Sequence, residues 1–209
     1  RLVFAPAQRQ CRGSCRPATA SRDFTTHLVS AGPIGIDGMI IGILTVSDRA
    51  SRGEYEDLGG PAIVSYLDAA LSTSWTALQR IVPDGVGPVA AALIELCEAG
   101  AALILTTGGT GPSLRDQTPE AIATVIDKEL PGFGELMRRV SLHQVPTAIL
   151  SRQGAGIRDK TLIVSLPGRP ASIATCLDAV FPAIPYCVEL IGAGRMETNP
   201  RMVSAFRPT

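Results

Sequence analysis

Several things are scarce in this chain, and each scarcity sets aside a class of protein. There is no excess of charge, because 19 Lys and Arg face 19 Asp and Glu. A general nucleic-acid binder is strongly basic, so that class falls away. Apolar stretches are broken by Gly, Pro or a charge before they reach the roughly 18 residues of a membrane span. A soluble protein with neither membrane nor nucleic-acid partners is expected. The five cysteines, Cys11, Cys15, Cys97, Cys176 and Cys187, are too few and too scattered for a disulfide scaffold. Cys11 and Cys15 have no second pair at metal-ligand spacing, and the chain holds only His27 and His143, so a structural zinc has little support. Cys97, Cys176 and Cys187 read as core thiols in a reducing, cytoplasmic setting. What the chain has is 209 residues, 45% hydrophobic and 18% charged, enough for one domain with a sizeable core.

Residues 1–38 differ in kind. They carry five arginines against Asp23 and Asp37 and show neither helical nor strand periodicity. They read as a disordered extension upstream of a start at Met39, with an organelle-targeting segment as the alternative. The folded domain is expected over 39–209.

From Met39 the pattern becomes regular. Residues 40–46 form a β-branched apolar run, the mark of a buried parallel strand. Further strands are expected at 76–82, 101–107 and 161–166, and helices at 59–71, 87–98, 119–128, 132–142, 170–180 and 182–191. Thr118 is expected to cap its helix, with Pro119 at the first position. The tail from Gly192 is expected as an extended strand or strap. Alternating strands and helices imply a three-layer α/β/α domain on a mostly parallel sheet. Ligands of such folds bind outside the carboxyl ends of the strands. Four polar or Gly-rich clusters fall there: Ser47-Asp48, Pro83-Asp84, Gly108 to Asp116, and Pro167 to Pro170.

The loop Thr107-Gly108-Gly109-Thr110-Gly111 lets backbone N–H groups approach a phosphate closely. It is neither a Walker A loop, since no Lys follows it, nor the dinucleotide fingerprint. Glycines also serve tight turns for steric reasons alone. Asp116, next to Arg115, suits a Mg²⁺ ion or a backbone-capping role. Asp84 suits a turn or a second carboxylate of the site. Ser47 and Asp48 suit a cap or a ligand contact. Arg138, Arg139, Ser141, Ser151 and Arg152 flank an apolar piece, Val145 to Leu150, and Ser with Arg can hold a phosphate monoester. No Ser or Cys has an evident His partner, so a covalent nucleophile is not expected.

Read together, the strings TVSDRAS (45–51), VPD (82–84), TTGGTGPSLRDQTPEA (106–121), PGFGELMR (131–138), SLHQVPTAILSRQ (141–153), LPGRP and ETNP (197–200) closely resemble the molybdopterin adenylyltransferases. These are the MogA-type enzymes of molybdenum cofactor synthesis, related to Cnx and gephyrin through their G domains. The resemblance runs from about residue 40 to the C-terminus. It implies a homotrimer that uses Mg²⁺ to transfer AMP from ATP to the terminal phosphate of molybdopterin, handing adenylyl-molybdopterin to a molybdate-inserting enzyme. Carried over, it implies Asp84 and Asp116 as the catalytic, metal-holding aspartates. Thr107, Gly108, Gly109, Thr110 and Gly111 would hold nucleotide phosphates, with Ser47, Asp48 and Asp57 beside them. Ser141, Ser151 and Arg152 would face molybdopterin, and Pro167, Gly168, Arg169 and Pro170 would close over adenine and ribose. The stretch from Asp178 to Pro185 is short where such chains can carry an insertion, and residues 1–38 have no counterpart. The alternative is a non-catalytic molybdopterin-binding or scaffold protein of the same fold.

Overall fold

The computed structural model describes residues 27–29 and 38–208. The elements in chain order are β1 (His27–Val29), β2 (Met39–Val46), α1 (Asp48–Ser51), α2 (Gly59–Ala70), β3 (Trp75–Val82), α3 (Val86–Glu98), β4 (Leu103–Thr107), α4 (Thr118–Val125), β5 (Lys128–Glu129), α5 (Pro131–Leu142), β6 (Ala155–Arg158), β7 (Thr161–Leu166), α6 (Pro170–Val180) and α7 (Ile184–Leu190). The strands form one sheet in the order β1-β3-β2-β4-β7-β6-β5. The four central strands, β3, β2, β4 and β7, are parallel, and the outer pairings are antiparallel.

Strand β2 shows why the layers form. Ile41 and Ile43 pack on one face with α2, α5, α6 and α7, while Leu44 and Val46 pack on the other with α3 and α4. That alternation buries both faces of β2, β4 and β7, which is why these strands read as largely apolar runs, whereas β3, with Gln79 and Arg80, is only partly buried. The register sets Val46 beside Val82, Thr45 beside Thr107, and Thr107 beside Leu166. The four strands therefore end in one row.

The elements differ from expectation at the sheet's edges. β5 and β6 were not foreseen, and Lys128–Glu129 ends the expected 119–128 helix early, because its backbone pairs with β6. β1 lies within the stretch set aside as disordered and pairs with β3. A three-residue strand is too short to show alternation, and it covers an edge that would otherwise leave N–H and C=O groups open. Apart from that strand and Gly38, residues 1–38 lie outside the described residues. Thr118 does not cap α4: its hydroxyl donates to the Gly108 carbonyl at 2.9 Å. The tail does form a strap, with Asn199 N–H on the Ala70 carbonyl at 2.8 Å and Met196 and Val203 in the core.

Among the described residues, the helical run Pro170–Leu190 is long and apolar enough by composition to cross a membrane. Here a 3-10 turn at Phe181–Ala183 interrupts it, and Ile173, Leu177, Val180, Ile184 and Val188 are buried against the sheet. Phe181 sits at this junction, fully buried, with its ring 5.5 Å from that of Tyr66. Phe181→Ala is expected to lower the free energy of unfolding by about 3–5 kcal/mol, through lost burial and the cavity left behind. Denaturant unfolding of both proteins measures it, and a loss below about 1 kcal/mol would contradict the packing described.

Candidate active site

At the carboxyl row, short polar bonds tie each loop to its neighbour. Thr45 donates its hydroxyl to Asp57 Oδ2 at 2.8 Å, and Asp57 Oδ1 accepts from Gly59 and Gly60 N–H at 2.9 and 3.1 Å. Asp57 thereby holds the start of α2, a helix whose first N–H groups need acceptors. Ser47 caps α1, accepting from Ala50 N–H at 3.2 Å. Thr107 donates to the Pro167 carbonyl at 2.9 Å, which ties the end of β4 to the turn after β7.

The glycine loop is sterically obligatory. Gly108 has φ of +96°, and a Cβ there would lie 2.2 Å from the Val46 carbonyl oxygen. Gly109 has φ of +62°, and a Cβ would lie 2.3 Å from Thr118 Oγ1 and 3.4 Å from Asp84 Oδ1. The loop is thus pressed against the end of β2 on one side and the Asp84 carboxylate on the other. Thr110 is buried, and its carbonyl accepts from Arg152 N–H at 2.8 Å. Gly111 lies against Asp116, whose Oδ2 accepts from Ser113 N–H at 3.1 Å.

Asp48 and Asp84 are 36 residues apart in sequence and bond reciprocally. Asp48 N–H donates to Asp84 Oδ2, and Asp84 N–H to Asp48 Oδ1, each at 3.1 Å. Arg115 reaches Asp48 Oδ2 at 3.4 Å from an exposed position. Burial pushes the Asp84 carboxyl above the usual carboxylate range; the Asp48 N–H opposes this, the charges of Asp48 and Asp116 add to it, and Arg115 opposes it weakly. Carboxylates crowded beside a loop of backbone donors suit a cation that arrives with phosphates. Among the described residues no group of three or more His, Cys, Asp or Glu is arranged to hold a metal unaided. Mg²⁺ is commonly held by one or two carboxylates plus substrate phosphates, so Asp84 and Asp116 fit that role in number and donor type.

Two cavities flank the turn Pro167–Pro170. One, of about 230 Å³, is lined by Thr45, Ser47, Tyr55, Asp57, Gly108, Gly168 and Pro170 among others, with Arg49 stacked 5.0 Å over the Tyr55 ring. The other, of about 260 Å³, is lined by Ser141, Gln144, Thr147, Ser151, Gln153, Arg169, Ser172 and Thr175 among others. Its floor is a polar chain. Ser151 bonds Gln153 Oε1, Gln153 Nε2 donates to Cys176 Sγ at 3.4 Å, and Ser141 Oγ lies 3.7 Å from the same sulfur. Burial raises the Cys176 thiol above its ordinary value, so it packs rather than attacks. The residues expected for the site thus all lie on this edge or in these cavities, except that Arg152 lines neither of the two and borders a third, of about 670 Å³, with Pro119, Lys128, Arg138, Ser151 and Gln153 among others. Tyr55, Gln153 and Glu120 were not singled out. Gln153 and Glu120 stood inside the recognised strings, but what they touch is set only by folding.

The fold and the site define a class, an α/β domain whose Gly-rich and carboxylate loops gather at the carboxyl edge of its sheet. Residues 42–186 match the family described as "Probable molybdopterin binding domain". The molybdopterin adenylyltransferase of Helicobacter pylori is 56% identical over 169 residues, covering 80% of this chain and 96% of that protein. The molybdopterin adenylyltransferase of Escherichia coli K12 is 47% identical over 181 residues, covering 80% and 93%. The molybdopterin biosynthesis enzyme MoaB of Thermus thermophilus superposes with a TM-score of 0.69 at 40% identity, covering 76% of this chain and 99% of that one. The chain belongs to the molybdopterin-binding family of molybdenum cofactor biosynthesis.

Two outcomes follow for this edge. Gly108→Ala is expected to be destabilised more than Gly53→Ala. Both glycines have positive φ, worth about 1–3 kcal/mol of strain for a side chain, but a Cβ on Gly53 meets open space. Equal thermal shifts for the two variants would show that the Val46 contact does not matter. For Asp84 the folded state binds its proton more tightly than the unfolded state does. Its charge therefore weighs on the fold increasingly as pH rises from about 3.9 through the raised folded value, and fully above it. Asp84→Asn is expected to be at least as stable as the parent at pH 7, with the difference shrinking as pH falls to 4. Thermal unfolding at the two pH values checks it, and a variant less stable only at pH 7 would reverse the sign.

Proposed function

We propose that this protein acts as a molybdopterin adenylyltransferase, joining the terminal phosphate of molybdopterin to the α-phosphorus of ATP with release of pyrophosphate. The observation that carries the reading is the pair of cavities on either side of the Pro167–Pro170 turn. The smaller one opens on Gly108, the nucleotide-phosphate side of the proposal. The larger is lined mainly by residues with hydroxyls and amides, which suits a heterocycle rich in hydrogen-bonding groups.

In this reading a phosphate oxygen of molybdopterin attacks the α-phosphorus, and the bond from that phosphorus to the pyrophosphate oxygen breaks. The nucleophile belongs to the substrate, so the protein needs no reactive side chain of its own. Its contribution is positioning and electrostatics. The turn at Gly108 and Gly109 aims backbone N–H groups at the phosphates. Thr107 fixes the turn that divides the two cavities. Asp84 and Asp116 would hold Mg²⁺, which supplies charge neutralisation for the crowded phosphates. A homotrimer and onward transfer to a molybdate-inserting enzyme belong to the same proposal.

The test uses the full chain with molybdopterin, ATP and Mg²⁺, following pyrophosphate and adenylyl-molybdopterin. Asp116→Ala is expected to lower turnover by about 100-fold or more while still binding molybdopterin. Unchanged turnover in that variant would remove Asp116 from the mechanism. Molybdopterin binding by the parent protein with no pyrophosphate released would replace transfer by carriage.

A further inference from the structure

Arg152 lies in the segment that lines the 260 Å³ cavity but does not itself line it; it borders instead a separate cavity of about 670 Å³ beside α4 and α5, with Pro119 and Arg138. Ser151 and Gln153 do line the 260 Å³ cavity, and Gln153 is buried to 2% exposure. The Arg152 guanidinium is directed away from the 260 Å³ cavity, toward the loop between β4 and α4. There each of its three guanidinium nitrogens is engaged. Nε donates to the Gly111 carbonyl at 3.0 Å, Nη1 pairs with the Glu120 carboxylate, and Nη2 donates to the Asp116 carbonyl. Its backbone N–H is held by the Thr110 carbonyl at 2.8 Å. The partners span the whole loop from the glycines to the first turn of α4. From the other side, Arg138 donates to the Gln153 carbonyl at 2.9 Å and fixes the segment from α5.

We infer that Arg152 is a positioning residue for Asp116, a strut between the segment lining the 260 Å³ cavity and the carboxylate loop, and not a ligand for the substrate's phosphate. To reach a phosphate in the 260 Å³ cavity the guanidinium would have to abandon two backbone carbonyls and a carboxylate. A planar fork with three nitrogens matches these three acceptors, and a lysine ammonium cannot reproduce it. The segment Ser151-Arg152-Gln153 thus joins the two halves of the site: its first and third residues meet one substrate, and its second sets the carboxylate that serves the other. The inference rests on the functional reading for what each half binds, but the contact itself stands without it.

The test compares Arg152→Ala, Arg152→Lys and Glu120→Gln with the parent by amide hydrogen exchange without ligand and by steady-state kinetics. Arg152→Ala is expected to speed exchange over residues 113–116 by about tenfold. It should also lower kcat by about 10- to 100-fold, the scale of a small misplacement, with KM for molybdopterin within about twofold. Arg152→Lys should recover only part of kcat, and Glu120→Gln should show smaller changes of the same sign. A phosphate ligand would behave oppositely: KM for molybdopterin would rise about tenfold or more with exchange over 113–116 unchanged, and that result overturns the inference. If Arg152→Ala fails to fold, Glu120→Gln decides, and unchanged exchange there overturns it equally. A parent protein that transfers no AMP defeats the transferase reading alone, because the exchange arm uses no substrate.

Discussion

Three aspartates at the end of one sheet repel one another, and the site is organised around containing that repulsion. Asp48, Asp84 and Asp116 leave different loops, and each carboxylate accepts at least one backbone N–H. Backbone donors hold a carboxylate in place without cancelling its charge. Asp48 and Asp84 hold each other in this way across 36 residues of sequence. The arrangement is therefore ordered before any cation arrives, and the Asp84 carboxyl is raised first by burial and further by the charges of Asp48 and Asp116. A site that must gather several phosphates around a metal benefits from both properties. The carboxylates need not reorganise, and the cation relieves repulsion already present.

The neutral residues of the edge do the corresponding mechanical work. Threonine hydroxyls from β2, β4 and the start of α4 each cross to another loop, reaching Asp57, Pro167 and Gly108. Strand ends are where side chains stop being needed for the core, so β-branched threonine can serve the strand and the loop together. The glycines have the complementary task. At Gly108 the chain passes so close to the Val46 carbonyl that only a residue without Cβ fits.

Much of this was legible in the sequence, for a physical reason. Strands β2, β4 and β7 are buried on both faces, so their identity is written in largely apolar runs, and the loops that follow parallel strands gather at one edge. The Gly-rich loop, Asp84, Asp116 and the Pro167–Pro170 turn could be placed there from topology alone. The edge strands could not. Lys128–Glu129 and Ala155–Arg158 are short and carry no alternation, and they are strands because of what lies beside them. The roles of single polar residues were equally hidden. Thr118 has the sequence signature of a cap and instead bonds Gly108. Arg152 has the signature of an anion ligand and instead bonds Gly111, Asp116 and Glu120. Composition says what a side chain can bind, and only the neighbours brought by folding say what it does bind.

That distinction bears on how the two halves of the site are joined. The cavities lie on opposite sides of one turn, and Thr107 ties the turn to the strand that leads into the glycine loop. Arg152 ties the far cavity's own wall to the same loop. Two independent connections therefore converge on residues 107–116, one through β4 and one through the segment after α5. Because the attacking group is proposed to come from one substrate and the leaving group from the other, relative placement is most of what the protein has to provide. A loop braced from both cavities is the part of this fold best suited to fix it.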